Sequence, residues 1–267
     1  MSEDAFREFK DRQRQMWASF APTAILTTPV AAHLAEFADV RPGEKVLDVA
    51  CGTGVVAITA ARRGANVSAL DLTPELLDVA RENEKLAECG AIEWTEGDAE
   101  RLPYRDGSFD VVLSQFGHMF APQPEVTLSE MRRVLKPRGR IAFATWPPEH
   151  FVGRFFAFVG RHSPPPPEGA VPPPLWGIVS VVTERLSNRF DAPFFERGVM
   201  RVPALSLPHF WNYMSASIGP LQKMVERLAA QPEQLNAVRQ EMLALAEPYF
   251  SNNIVHQDYL LTRANAR

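Results

Sequence analysis

VLDVACGTG, residues 46–54, is the stretch that decides the fold of this 267-residue chain. Its apolar start predicts a buried β-strand, and the helical pattern VVAITAARR begins directly after the last glycine. Gly52 and Gly54 carry no Cβ and can adopt a positive φ, so the backbone of this turn can pass close to a ligand. The free N–H groups at the start of the following helix face the same place. The stretch therefore predicts a strand, a tight turn and a helix around a ligand site.

Strand-like and helical patterns alternate around this stretch from residue 40 to residue 146. Such alternation is typical of α/β domains with a mostly parallel sheet. The predicted strands are 45–50, 67–70, 92–96, 109–114 and 140–146. We therefore expect the carboxyl ends of several strands to meet at one edge of the sheet, where the glycine turn lies.

The chain changes character after residue 146. Proline runs at 164–167 and 172–174 predict stiff loops, and helical patterns lie before and after them. We expect two extended segments within 189–205, joined by a turn at 196–198, and a closing strand at 254–264.

Composition excludes several classes of function. Lys plus Arg is 28 and Asp plus Glu is 32, which gives a net charge of −4, and no basic stripe is present, so nucleic acid is not expected as a partner. Cys51 and Cys89 lie in no metal-ligand spacing, which predicts no metal site and fits a reducing compartment. The polar N-terminus does not resemble a signal peptide, and no apolar run approaches the roughly 18 residues of a spanning helix. We expect a cytoplasmic protein.

Three carboxylates follow the first three predicted strands or lie in them. Asp71 comes 19 residues after Gly52, where a carboxylate can accept both hydroxyls of a ribose. Gly52, Gly54 and Ala57 also match the dinucleotide fingerprint, so an NAD(P)-dependent oxidoreductase is an alternative. Asp48 would repel a pyrophosphate but suits a ligand with an ammonium group. S-adenosylmethionine carries that group.

A further acid follows the third strand. Asp98 can accept a hydrogen bond from an adenine amino group, while the N–H of Ala99 can donate to a ring nitrogen. Together with Asp48 and Asp71, this placement favours an adenosine ligand over a phosphate-rich one.

These motifs together resemble the class I S-adenosylmethionine-dependent methyltransferases, which include the ubiquinone and menaquinone C-methyltransferases. The segments that carry the resemblance are VLDVACGTG, ALDLTPELLDVAR, EGDAERLPYRDGSFDVV and EMRRVLKPRGRIAF. The resemblance implies that Asp48, Ala50, Gly52 and Gly54 line the methionine and ribose side, that Leu72 packs on adenine and that Ser114 lies beside the sulfonium. Ala50 stands where the family usually has its first glycine.

The resemblance also implies a fold and a division of the chain. The fold is a Rossmann-like, doubly wound, seven-stranded and mostly parallel α/β sheet with an antiparallel closing strand and a helical lid between the late strands. The expected regions are a helical cap at 1–39, the S-adenosylmethionine-binding core at 40–146, and a proline-rich, helical lid with the last strands at 147–267.

The expected reaction moves a methyl group in line to an apolar or aromatic small molecule. We expect Gln115, Phe116, Trp17 and Trp146 to contact this acceptor, within an aromatic-rich pocket. His118 is the candidate base, because its ordinary pKa suits proton removal; its alternative role is to shape the pocket. A module that binds the cofactor without turnover is a further alternative. No oligomeric state is assigned.

Overall fold

A computed structural model describes residues 3–267 and shows a single twisted sheet with helices on both faces. The strands run in the order β3-β2-β1-β4-β5-β8-β6, and the short β7 pairs with β8. Strands β1 to β5 are parallel, whereas β8 is antiparallel to both β5 and β6. The bounds are β1 Lys45–Val49, β2 Asn66–Asp71, β3 Ile92–Glu96, β4 Phe109–Gln115, β5 Leu135–Thr145, β6 Phe194–Pro203, β7 Phe250–Ser251 and β8 Ile254–Asn265.

The helices fall into three groups along the chain. One group precedes the sheet, one alternates with β1 to β5, and one lies before β6 and between β6 and β7. The bounds are α1 Glu3–Trp17, α2 Ala21–Ala24, α3 Thr28–Phe37, α4 Val55–Arg62, α5 Pro74–Ala87, α6 Pro124–Val134, α7 Phe151–Arg161, α8 Val179–Leu186, α9 Leu207–Ser217, α10 Gly219–Leu228 and α11 Pro232–Ala246. Across residues 3–267, none of these helices has the length and apolar character needed to cross a membrane.

Strand β1 lies at the centre of the sheet because its side chains are apolar on both faces. Val46, Leu47 and Val49 are fully buried, as expected for a parallel strand that is covered by helices on both sides. Val46 pairs with Val67 of β2 on one side and with Val111 of β4 on the other. The chain order reverses between β1 and β4, and parallel sheets bind ligands at such a reversal.

The predicted Rossmann-like sheet and its antiparallel closing strand are confirmed, but two local predictions are wrong. Residues 194–203 form one continuous strand, paired with β8 throughout, and there is no turn at 196–198. Gly198 serves packing instead: a Cβ on it would lie 2.2 Å from the ring of Tyr259. The fifth strand, predicted at 140–146, begins earlier: α6 ends at Val134, and β5 starts at Leu135.

Candidate active site

The glycine turn, residues 50–54, follows β1 and has an unusual backbone. Ala50, Gly52 and Gly54 have φ values of 55°, 53° and 81°. A Cβ on Gly54 would lie 2.5 Å from Cη2 of Trp94, so only glycine fits there, whereas nothing lies within 4 Å of a Cβ on Gly52. The backbone at Gly52 therefore faces open space and can be approached closely.

Ala50 adopts the left-handed conformation although it is not a glycine. This conformation costs an alanine about 1 kcal/mol. The chain following β4 holds it in place, because a Cβ on Gly117 would lie 2.4 Å from the carbonyl oxygen of Ala50. The methyl group of Ala50 is thus accommodated, and the residue lines the cavity as expected.

Asp71 ties the end of β2 to the glycine turn. Its Oδ2 accepts a hydrogen bond of 2.7 Å from the N–H of Gly52, and its Oδ1 accepts one of 2.8 Å from the N–H of Thr73. Burial raises the pKa of Asp71, although these N–H groups favour the charged form. The carboxylate is fixed in orientation and faces the cavity.

Asp48 is the second buried carboxylate of the cavity wall. Its Oδ2 accepts a hydrogen bond of 3.0 Å from the N–H of Ala57 in α4. Burial raises the pKa of Asp48 well above its usual range, and the neighbouring Asp71 raises it further. Among residues 3–267, neither carboxylate forms an ion pair. Two negative groups therefore repel each other here without a protein cation between them.

Asp98 lies at the far end of the same wall and contacts helix α1. The Nζ of Lys10 lies 2.6 Å from Oδ2 of Asp98 and 2.5 Å from Oε2 of Glu100. Burial opposes the charge on Lys10, but these two acids outweigh that effect and raise its pKa. Leu72 and Ala99 line the cavity beside this ion pair. We call the wall formed by Asp48, Asp71, Asp98 and the glycine turn the acidic half.

Another part of the lining of the same cavity is aromatic and comes from several segments of the chain. Its members, which we call the aromatic half, are Trp17, Phe20, Phe116, Phe120, Trp146, Phe151, Phe155, Phe156 and Tyr213. Phe116 and Trp146 stack with their ring centroids 3.7 Å apart, and Trp17 lies 4.6 Å from Phe120. Gln115, at the end of β4, also lines this wall. The structure thus brings the four predicted acceptor residues together.

Gly54, Ser114 and His118 are the three predicted site residues that do not line the cavity. Gly54 packs against Trp94 instead. The Ser114 hydroxyl donates to the carbonyl of Val49 at 2.7 Å and accepts from the N–H of His118 at 3.2 Å, fully buried. The His118 ring packs against Phe143 and Trp176.

The chemistry of His118 also argues against the predicted role of base. In the described part of the chain, residues 3–267, neither ring nitrogen has a hydrogen-bond partner. Burial, together with the nearby Arg185, lowers the pKa of His118 to about 3. A base that does not reach the cavity and resists protonation cannot take a proton from a bound acceptor. The alternative, that His118 shapes the region behind the pocket, agrees with its position.

Sequence reasoning missed several cavity residues. Lys10, Thr27 and Gln257 all line the cavity, yet they lie in segments without a recognisable motif. An amphipathic helix pattern around Lys10 predicts only a helix, and only the fold brings this residue to the cavity.

Comparison with known proteins identifies the family. Residues 47–143 match the family model described as "Methyltransferase domain". The ubiquinone/menaquinone biosynthesis C-methyltransferase UbiE of Ruegeria is 42% identical over 106 residues, which cover 38% of this chain and 42% of UbiE. The chain belongs to the class I S-adenosylmethionine-dependent methyltransferases. As such it is an enzyme that uses S-adenosylmethionine, and the oxidoreductase alternative is wrong.

Other similarities extend beyond the methyltransferase core. The uncharacterized protein Rv1403c of Mycobacterium tuberculosis is 34% identical over 256 residues, which cover 94% of this chain and 93% of that protein. The YcgJ protein of Bacillus subtilis has the same fold, with a TM-score of 0.62, 17% identity and coverage of 89% of this chain and 98% of YcgJ. The similarity to the mycobacterial protein therefore covers sequence before and after the matched methyltransferase domain as well as the domain itself.

Proposed function

We propose that this methyltransferase transfers a methyl group to an apolar or aromatic small molecule by in-line displacement. The observation that supports the proposal is a single cavity with two unlike walls, the acidic half and the aromatic half. One wall suits a charged adenosyl ligand and the other suits an apolar ring. Their meeting at the carboxyl edge of the sheet allows both ligands to be held in contact.

The acidic half fits S-adenosylmethionine. Asp48 and Asp71 are buried and lack a cationic partner among residues 3–267, so a ligand that carries an ammonium and a sulfonium relieves their repulsion. When bound, the cofactor supplies a methyl group on sulfur, and the C–S bond breaks with both electrons remaining on sulfur. Gly52 offers an open backbone for close approach.

We assign individual contacts within the acidic half as follows. Asp48 faces the ammonium group, and Asp71 accepts hydrogen bonds from the ribose hydroxyls with its remaining lone pairs. Asp98 and the N–H of Ala99 bind the adenine edge, and Leu72 packs on its face. Lys10 holds the Asp98 carboxylate against the wall through its 2.6 Å ion pair. Ala50 and Gly54 keep the turn in the shape that these contacts need.

The aromatic half excludes water from the acceptor and orients it. Trp17, from the cap at 1–39, and Trp146, at the end of the core at 40–146, face the acceptor together with side chains of the lid at 147–267. The acceptor atom supplies the electron pair of the new bond to the methyl group. No His, Lys, Asp or Glu lines this wall within residues 3–267, so the proton of the acceptor leaves with the methylated product and passes to the bulk solvent.

We also propose that the acceptor is a free metabolite and that the enzyme works in a reducing compartment such as the cytoplasm. The enclosed aromatic half suits a small molecule better than a nucleic acid chain, which would need a basic surface. Cys51 and Cys89 are both free, which agrees with reducing conditions.

The test measures S-adenosylhomocysteine formed from S-adenosylmethionine with a panel of phenols, thiols, amines and quinols. We expect acceptor-dependent formation with uncharged aromatic compounds. The Asp71→Asn variant is the control, and its rate at subsaturating cofactor should fall with its cofactor affinity. If S-adenosylhomocysteine binds but no panel member is methylated, the proposed reaction is wrong.

A further inference from the structure

The distribution of charge in the cavity is uneven. Four charged side chains line it, namely Lys10, Asp48, Asp71 and Asp98, and all of them belong to the acidic half or pair with it. The polar side chains beside the aromatic half are neutral: the amides of Gln13, Gln115 and Gln257, and the hydroxyls of Thr23, Thr27 and Tyr213. A carboxylate or phosphate on the acceptor would therefore be buried without a cation, which is strongly unfavourable.

Gln115 presents an unused hydrogen-bond acceptor. Its Nε2 donates to the carbonyl oxygen of Thr27 at 3.2 Å, and because a carbonyl can only accept, this bond fixes which end of the amide is the oxygen. The Oε1 of Gln115 is buried and has no hydrogen-bond partner within residues 3–267. A buried amide oxygen without a partner is costly, so a ligand that brings an O–H or N–H donor is favoured here.

Tyr213 presents an unused donor. Tyr213 lines the cavity, and its hydroxyl is buried and has no hydrogen-bond partner among residues 3–267. Burial raises the pKa of Tyr213, so the group remains a neutral O–H at physiological pH. A neutral phenol O–H donates readily to a carbonyl or ether oxygen.

We propose that Gln115 and Tyr213 determine the acceptor specificity of this enzyme, and that they select an uncharged aromatic compound with one hydroxyl or N–H donor and one carbonyl or ether oxygen. This inference rests on the proposed function, in which the aromatic half of the cavity binds the methyl acceptor. Gln115 Oε1 accepts the hydrogen bond of the donor, and Tyr213 Oη donates to the oxygen. Both are specificity-determining residues, since neither removes the proton of the acceptor.

The experiment measures binding by calorimetry to the full chain saturated with S-adenosylhomocysteine. The probe is methyl 4-hydroxybenzoate, which has a phenol, a ring and a carbonyl but no charge. Three compounds differ from it by one feature each: 4-hydroxybenzoate adds a charge, methyl 4-methoxybenzoate lacks the donor, and 4-ethylphenol lacks the carbonyl. We expect the neutral ester to bind at least tenfold more tightly than the carboxylate.

Two variants test the roles of the side chains. Gln115→Leu should weaken the binding of the ester by about three- to tenfold and leave the affinity for methyl 4-methoxybenzoate unchanged. Tyr213→Phe should weaken the binding of the ester to a similar extent and leave the affinity for 4-ethylphenol unchanged. A merely structural role would weaken all of these ligands alike. Tyr213→Phe removes a hydroxyl that has no partner in the protein, so the fold should tolerate it.

The outcomes separate this inference from the proposed function. Equal or tighter binding of the carboxylate, uniform weakening of all ligands in both variants, or failure of the ester to bind would each overturn the inference. Selective binding of the ester without any formation of S-adenosylhomocysteine from S-adenosylmethionine would instead support the subsite and contradict the proposed reaction.

Discussion

The acidic half and the aromatic half of the cavity are assembled in different ways. The acidic half comes from the carboxyl ends of three neighbouring parallel strands, and its carboxylates are fixed by backbone N–H groups at 2.7–3.0 Å. The aromatic half comes from segments that reach from Trp17 to Gln257 and pack through their rings. Local backbone geometry determines the first, whereas tertiary packing determines the second.

Because the two halves are built differently, substitutions in them should have different effects. A change in the acidic half disturbs the backbone of the glycine turn as well as the ligand contact. A change in the aromatic half alters the shape or polarity of the wall and leaves the turn intact. Cofactor affinity and acceptor choice should therefore respond to different substitutions, and the following predictions test this separation.

The largest effect is expected from Asp71→Asn. An asparagine has one acceptor oxygen and cannot hold the N–H groups of both Gly52 and Thr73 as the carboxylate does. Loss of a charged hydrogen-bond acceptor costs about 1.5–3 kcal/mol, so the affinity for S-adenosylhomocysteine should fall about 10- to 150-fold. Isothermal titration calorimetry measures it.

The matched control for Asp71 is Asp110, which lies near the amino end of the central strand β4, away from the carboxyl ends where Asp71 lies. Asp110 is also a carboxylate on a sheet strand, but it pairs with Lys136 and is absent from the cavity wall. Asp110→Asn should leave the affinity for S-adenosylhomocysteine within twofold of the wild-type value. An Asp71→Asn protein with wild-type affinity would remove Asp71 from the cofactor site.

A smaller effect is expected from Asp48→Asn, which should raise the stability of the cofactor-free protein and lower its affinity for the cofactor. The pKa of Asp48 is raised in the folded protein by burial, so its contribution to stability is present below the unfolded pKa and is lost as pH rises through the folded pKa. Replacing it should stabilise the cofactor-free protein at pH 7 by about 1 kcal/mol. Cofactor affinity should meanwhile fall about tenfold.

Urea unfolding at pH 4 and pH 7, without ligand, tests the effect on stability. The gain in the unfolding midpoint of Asp48→Asn over the wild type should be larger at pH 7 than at pH 4. Destabilisation of the cofactor-free protein at pH 7 would mean that the hydrogen bond from Ala57 outweighs the cost of burying the charge. The two halves would then differ less in their electrostatics than the structure indicates.

The contrast between the halves also explains how far the sequence predicts this molecule. The turn after β1 and the acids after β2 and β3 lie close to their strands in sequence, so strand periodicity and glycine spacing place them correctly. Tyr213 and Lys10 reach the cavity only through the packing of helices. Strand β6 was predicted as two segments because Gly198 suggests a turn in sequence, whereas the ring of Tyr259 explains it in space.

Ser114 and His118 illustrate a different reason for error. Ser114 is a buried residue of β4 and His118 follows the strand, and neighbouring residues of a strand face opposite sides of the sheet. Gln115, the last residue of β4, lines the cavity, and Phe116 also reaches it because its positive φ of 61° turns the chain out of the strand. Ser114 bonds to the backbone of β1, and the ring of His118 packs against Phe143. The segment was predictable, but the orientation of its side chains after the strand was not.

The smallest effect on catalysis is expected from His118→Phe, which removes the predicted base and replaces it with an apolar ring between Phe143 and Trp176. The pKa of His118 is about 3 in the folded protein and about 6.5 when exposed. The unfolded chain therefore binds an extra proton between these values, and stability is lost as pH falls through this window, by at most about 1.4 kcal/mol per pH unit. His118→Phe should therefore lose less stability than the wild type as pH falls.

Urea unfolding at pH 7.5 and pH 5 measures the difference in the free energy of unfolding between the two pH values. The exposed His209 provides the control. His209→Gln should reproduce the wild-type difference between the two pH values, whereas His118→Phe should reduce it. Methyl transfer should persist in His118→Phe, because the ring lies outside the cavity wall. A loss of turnover by a factor of about 100 or more, with cofactor affinity retained, would restore His118 as the base and would place a titrating group in the aromatic half after all.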